Sequence, residues 1–223
     1  MMNTLRLNKE TKIIYSIPNF LSSEEIDKLF ELIQDVNFVD AGVGRKQKKE
    51  TINFIKNYEL INPNAGVVKR IRNTNIKWIE WTKNFDWLFE KIIMCINTVN
   101  MENYNYILKF VENLQFAQYT SETKGFYSKH NDCGNEYDIK NFVDIRKLSF
   151  SIQLSDPDEY EGGELKLYRG EKSIYSDKEE YFVAKKDKGT IIFFPSNIFH
   201  EVTPVTKGTR YSLVSWVQGP NLL

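Results

Sequence analysis

His130 and His200 are the only two histidines in 223 residues, and Asp132 follows the first of them by two positions. On an extended segment, side chains two apart share a face. The imidazole of His130 and the carboxylate of Asp132 are therefore expected to point the same way. A second imidazole arriving from a distant strand would complete two nitrogen donors and one carboxylate. That set leaves coordination positions open and suits a non-haem Fe(II) centre. A His-x-Asp match alone is weak, because two unrelated histidines can produce it by chance. Context strengthens it here. Both histidines of the protein are used, His200 follows a strand-like run and a proline-containing turn, and Cys133-Gly134 closes the segment after Asp132. Cys133 should face away from Asp132 and reads as a bystander thiol.

The rest of the chain must position these groups. Lys12–Tyr15 reads as a short strand. Ser22-x-x-Glu25 is a capping-box signature, and Ile26, Leu29, Phe30 and Ile33 follow at helical spacing, so a helix is expected over about 23–36. Asn53–Leu60 reads as a strand. The basic run Arg45–Lys49, beside Gly42 and Gly44, reads as a solvated loop, with a lid or a contact for an acidic partner as the functional alternative. Residues 67–101 read as helical with a break near Asn84. Trp78, Trp81, Phe85, Leu88, Phe89, Ile92, Ile93 and Ile96 supply apolar faces for packing on a sheet.

From Tyr106 the pattern becomes strands. Leu114–Tyr119 alternates. Leu148, Phe150, Ile152 and Leu154 share one face, with Ser149, Ser151 and Gln153 on the other. Glu161-Gly162-Gly163-Glu164 is a turn into Leu165–Tyr168. Ile191–Phe194 is apolar throughout, and Thr209–Val217 forms the last strand. On that strand Arg210, Ser212, Val214 and Trp216 share a face. Short strands with turn signals indicate an antiparallel sandwich or barrel. Helices first and strands later indicate an α+β class, with helices bracing one sheet face.

Thirty basic and thirty acidic residues cancel, so no overall field draws the chain to nucleic acid, and no nucleic-acid partner is expected. The two cysteines, Cys95 and Cys133, lack zinc-site spacing and do not suggest a disulfide framework. Met1–Ser16 has no apolar core of a signal peptide, and no apolar run approaches the ~20 residues needed to span a membrane. A cytoplasmic, intracellular protein without membrane partners is the expectation. A single domain over 1–223 is expected, with 1–104 as mainly helical support and 105–219 as the catalytic core.

The motifs together resemble those of the Fe(II)/2-oxoglutarate-dependent oxygenases, and more narrowly the prolyl 4-hydroxylase-like branch with its PKHD-type hydroxylases. The resemblance rests on Gln118-Tyr119, Gly125-Phe-Tyr-Ser-Lys-His-Asn-Asp132, Leu148-Ser149, Leu154–Leu165, Gly189, Phe194-Pro-Ser196, His200-Glu-Val-Thr-Pro-Val205, Gly208-Thr-Arg-Tyr-Ser212 and Trp216. It covers roughly 105–219, with a looser match at Phe38–Gly42. It implies a double-stranded β-helix, a jelly roll of two antiparallel sheets. His130, Asp132 and His200 would hold Fe(II) on the minor sheet. Arg210, on the facing major sheet, would hold the distal carboxylate of 2-oxoglutarate, since a guanidinium can grip a carboxylate bidentately in a buried site. Unaided, Arg210 would read as an exposed strand arginine. The resemblance also assigns Tyr119 and Ser149 to the 2-oxoglutarate carboxylate, and Trp216 and Tyr127 to the substrate mouth. Core packing is the alternative for Trp216, Tyr127 and Tyr119.

The implied activity is hydroxylation of a C–H bond with release of succinate and CO2. Its cosubstrates are 2-oxoglutarate and O2, and ascorbate is a candidate reductant. A prolyl residue in a peptide or protein is the leading substrate, with a lysyl residue or a free amino acid as small-molecule alternatives. Segments 42–52, 133–147 and 169–187 are candidate lids. Two other classes remain. One is a cupin-like metal enzyme without 2-oxoglutarate, in which Arg210 would be dispensable. The other is a catalytically silent jelly-roll binding module, which has no physical reason to keep three metal ligands.

Overall fold

Alternating strands from Leu114 onward build two facing antiparallel sheets. The computed structural model describes residues 13–40, 71–133, 143–169 and 180–221. In chain order the described elements are β1 (Tyr15–Ile17), α1 (Ser23–Leu32), β2 (Val39–Asp40), β3 (Arg72–Asn73), β4 (Asn75–Ile79), α2 (Asp86–Val99), β5 (Phe110–Val111) and β6 (Leu114–Thr120). Then come β7 (Phe126–His130), β8 (Asp144–Gln153), β9 (Tyr160–Gly162), β10 (Leu165–Tyr168), β11 (Tyr181–Val183), β12 (Ile191–Pro195), β13 (His200–Val202) and β14 (Val205–Pro220). The larger sheet runs β1-β12-β8-β14-β6-β4-β2, with β5 and β9 also paired to β14. The smaller runs β11-β10-β13-β7-β3. This is the jelly-roll arrangement expected from the sequence.

The larger sheet is covered on both faces, and its strands sort their side chains by parity. Ile191 and Phe193 join a core with Leu114, Phe116, Leu148, Phe150, Ile152 and Leu213, packed against Ile26 and Leu29 of α1 and Leu88, Phe89, Ile92 and Ile96 of α2. Residues of both helices thus share one core with that face. Ile192 and Phe194 turn the other way, to Ala117, Tyr119, Leu165, Leu167 and Val202 between the sheets. Both faces of β12 bury apolar side chains, so it reads as an unbroken apolar run. Each such side chain contributes roughly 1.5–3 kcal/mol on burial.

The capping box forms as expected. The Ser22 N–H donates to Glu25 at 2.8 Å and the Glu25 N–H donates to Ser22 Oγ at 3.2 Å. Helix α1 ends at Leu32, four residues short of the expected boundary. The helix expected over 67–101 needs correction. Arg72–Asn73 and Asn75–Ile79 are strands, and the α-helix begins only at Asp86. Apolar residues 76 and 79 fit a helical period, but β4 pairs with β6 from Asn75↔Gln118 to Ile79↔Leu114, and tertiary pairing overrides the local pattern. Trp78 and Trp81 are consequently not core residues; they are 39% and 52% exposed. The expected strand Asn53–Leu60, the basic run Arg45–Lys49 and the segment 42–52 lie outside the described residues. Segments 133–147 and 169–187 are described only in part; β8 already begins at Asp144 and β11 occupies Tyr181–Val183. No described helix is long and apolar enough to cross a membrane.

Candidate active site

Strands β7 and β13 bring the two histidines together. His200 pairs with His130, but Val202 pairs with Tyr127, so β7 carries one residue more than its partner between these points. Such a bulge breaks the two-residue alternation. It turns Tyr127 and His130, which strand parity would set on opposite faces, to the same side. Their rings stack at 3.6 Å. The imidazoles of His130 and His200 lie 4.2 Å apart.

Each histidine uses Nδ1 on its own backbone. His130 Nδ1 lies 2.7 Å from the Ser128 carbonyl and His200 Nδ1 lies 3.0 Å from the Ile198 carbonyl. A carbonyl only accepts, so Nδ1 carries the proton that it donates and Nε2 is left with a free lone pair to bind a metal in both rings. Asp132 reaches both, with Oδ1 3.7 Å from His130 Nε2 and Oδ2 3.5 Å from His200 Nε2. The ligand atoms of the three residues lie within 4.8 Å of one another. Burial, aided by the neighbouring His200, pushes His130 down to about 4, so it is a neutral imidazole near neutral pH. Burial works to raise the Asp132 carboxyl, but the two histidines, Arg146 and the Ser149 hydroxyl outweigh it and hold the group ionised. Two imidazole nitrogens and one carboxylate at this spacing can hold a divalent metal in a half-open coordination sphere.

Asp132 lies just beyond the end of β7. Its N–H donates to the Ser196 carbonyl at 2.8 Å, tying it to the end of β12. Ser149 donates to Asp132 Oδ2 at 2.8 Å and lies 2.9 Å from Ser196 Oγ. Ser149 thus stands behind the carboxylate and does not line the cavity. Cys133 Sγ lies 3.2 Å from Asn131 Oδ1.

The opposite wall is the inner face of β14. Arg210, Ser212, Val214 and Trp216 all line one cavity with His130, Asp132 and His200, as their shared parity requires. Arg210 is 1% exposed. Its Nη1 donates to Ser212 at 3.2 Å and its Nη2 to Gln153 at 3.0 Å, while Nε has no partner. Among the described residues no carboxylate pairs with it. A fully buried guanidinium without an anion is costly, so the cavity is suited to an anionic ligand. Gly163 allows the arginine its place: a Cβ there would stand 2.9 Å from Arg210 Cδ. Tyr119 is the register partner of Arg210 on β6, with its ring 5.4 Å from the guanidinium carbon. Trp216 is mostly buried under the Arg146 guanidinium at 3.6 Å, and Arg146 is held in turn by Glu112 at 2.7 and 2.6 Å. All eight residues singled out from the sequence therefore sit at or against one site.

Several contributors were missed. Gln153, which holds Arg210, shares the polar face of β8 with Ser149 and Ser151, so alternation could have flagged it. Arg72 and Gln115 also line the cavity. Gln115 was visible in the alternation of β6, but Arg72 lay in a segment read as helix and carried no signal.

Residues 114–218 match the sequence model of the 2OG-Fe(II) oxygenase superfamily. A PKHD-type hydroxylase of Crocosphaera subtropica is 29% identical over 208 residues, covering 92% of this chain and 78% of that protein. One of Aliarcobacter butzleri is 26% identical over 211 residues, with the same coverage of 92% and 78%. A prolyl-4-hydroxylase structure from Pseudomonas putida aligns with TM-score 0.59 at 19% identity, covering 93% of this chain and 92% of that one. A Trichoplax adhaerens prolyl hydroxylase, in complex with a hypoxia inducible factor oxygen degradation domain peptide fragment, aligns with TM-score 0.64 at 20% identity, covering 93% and 84%. Shared motifs, shared sheets and a histidine–aspartate–histidine cluster at the mouth between them agree: residues 114–218 carry a 2OG-Fe(II) oxygenase domain, and the chain is similar over most of its length to PKHD-type hydroxylases.

Proposed function

We propose that this 2-oxoglutarate-dependent dioxygenase hydroxylates a prolyl residue in a peptide or protein. The observation that carries the reading is the pairing, across one cavity, of the His130–Asp132–His200 cluster with the buried, anion-free Arg210. The choice of a prolyl target is supported by the PKHD-type relatives and by the two prolyl hydroxylases that share the fold.

In this reading His130 Nε2, Asp132 and His200 Nε2 hold Fe(II). When bound, the iron together with 2-oxoglutarate and O2 supplies the oxidising power that turns a C–H bond into C–OH, with succinate and CO2 released. The chain's own residues do the positioning. Carbonyls of Ser128 and Ile198 keep both imidazoles in the metal-binding tautomer. Ser149 orients Asp132 by donating to one of its oxygens. Arg210, aimed by Gln153 and Ser212, receives the distal carboxylate of 2-oxoglutarate. Tyr119 flanks that carboxylate. Tyr127 and Trp216 border the space above the metal, where the substrate enters. Burial of these groups between the two sheets lowers the local dielectric, which strengthens each charge–charge contact.

The test is anaerobic addition of Fe(II) and then 2-oxoglutarate. A visible charge-transfer band is expected, and His130→Ala should abolish it. Under air, with ascorbate to keep the iron reduced, a proline-containing peptide pool should gain one oxygen atom on proline, with succinate in equal amount. A wild-type protein with neither band nor succinate would overturn the oxygenase chemistry. A band with oxygen added only to other residues would overturn the prolyl assignment alone.

A further inference from the structure

A second buried arginine faces the same cavity. Arg72, on β3, is 6% exposed. Its Nη2 donates to Gln115 Oε1 at 2.5 Å, its Nε has no partner, and no carboxylate pairs with it among the described residues. The guanidinium carbon lies 4.5 Å from the centre of the Tyr127 ring, and that ring stacks on His130 at 3.6 Å. One tyrosine ring therefore separates this cation from a metal ligand. Arg146, on β8 of the larger sheet, is already neutralised by Glu112.

Charge counting defines what is missing. Fe(II) brings two positive charges, Asp132 one negative, 2-oxoglutarate two negative and Arg210 one positive, so those partners balance. Among the described residues Arg72 is left over, and an unmatched buried cation is strongly disfavoured. Arg72 also lies at the Tyr127 side of the cavity, on the smaller sheet, whereas Arg210 enters from β14 of the larger one. The two cations are thus placed to hold two different anions. We infer that Arg72 is a substrate-binding residue, and that the substrate carries a carboxylate close to the hydroxylated carbon. That carboxylate is a free α-carboxylate or the side chain of an adjacent acidic residue. The inference rests on the oxygenase reading above and narrows its substrate.

The test uses matched probes on protein loaded anaerobically with Fe(II) and 2-oxoglutarate. The pairs are acetyl-alanyl-proline against its carboxamide, acetyl-prolyl-aspartyl amide against the asparaginyl analogue, and acetyl-dialanine against its carboxamide. Binding is read by calorimetry and by the shift of the charge-transfer band. Wild type should prefer the carboxylate member of a pair roughly ten- to hundredfold, the range for a buried hydrogen bond to a charged group. Arg72→Gln should erase that preference, Arg72→Lys should retain part of it, and neither should change the 2-oxoglutarate titration. A persisting band also shows that the variants fold. Discrimination in no pair by wild type overturns the inference, as does a weakened 2-oxoglutarate titration in Arg72→Gln, which would assign Arg72 to the cosubstrate. Preference only in the pair lacking proline would sustain Arg72 and remove the prolyl assignment. Absence of the band in wild type would strike the oxygenase chemistry instead.

Discussion

Arg210→Met should make the ligand-free protein more stable while crippling its response to 2-oxoglutarate. Arg210 is 1% exposed, makes two hydrogen bonds to neutral side chains and leaves Nε without a partner. Withdrawing a charge from water costs several kcal/mol, and replacing buried charges by apolar groups of similar size often stabilises by about 1–4 kcal/mol. Loss of the bonds to Ser212 and Gln153 offsets part of this, which leaves a gain of about 1–3 kcal/mol. For a chain of this length each kcal/mol moves Tm by about 2–4 °C, so the ligand-free variant should melt about 2–12 °C higher. With Mn(II) and 2-oxoglutarate the gap should narrow. Ligand at one hundred times Kd adds about 2.7 kcal/mol to wild type. Truncating one partner of a buried charge pair costs roughly 2–5 kcal/mol, so the variant should bind 2-oxoglutarate at least about thirtyfold more weakly and gain little. Differential scanning fluorimetry with and without 2-oxoglutarate reads both effects. A variant that melts lower when ligand-free, and that 2-oxoglutarate still raises as much as wild type, would refute the argument.

Ser149→Ala removes the donor to Asp132 Oδ2, so metal affinity should fall about ten- to hundredfold in a Mn(II) titration with the fold retained. Gly163→Ala should both strain the backbone at φ +58 and press on Arg210 Cδ; thermal denaturation should show a loss of about 1–2 kcal/mol, and 2-oxoglutarate binding should weaken. Burial pushes the Cys95 thiol up to about 11, so alkylation of Cys95 in a Cys133→Ser background at pH 8 should be about a hundredfold slower folded than unfolded, and should speed up as pH rises toward that value.

The chemistry of this chain was legible where it depends on residue type and local period. Two histidines and one aspartate at strand spacing suggest a metal site before any pairing is known, whereas Arg210 was marked for an anion only by the family resemblance. The same parity that put Arg210, Ser212, Val214 and Trp216 on one face does bring all four to the cavity. Parity could not show which face is inside. Ser149, Ser151 and Gln153 look like a solvent face, yet all three are buried, because both faces of the larger sheet are covered.

Other features depend on partners far away in sequence. Tyr127 and His130 have opposite parity in the chain, and only the extra residue of β7 against β13 turns them to the same side. Trp78 satisfies a helical period in isolation, but β6 offers its backbone a ladder, and a strand then exposes the indole. Arg72 had no local mark at all. Its meaning comes from β3 pairing beside β7, which sets a cation against Tyr127 and the metal ligands. Ligand identity is thus written in side-chain chemistry, whereas the charge balance of the cavity, and with it the kind of substrate it can admit, is decided by which strands the tertiary fold lays side by side.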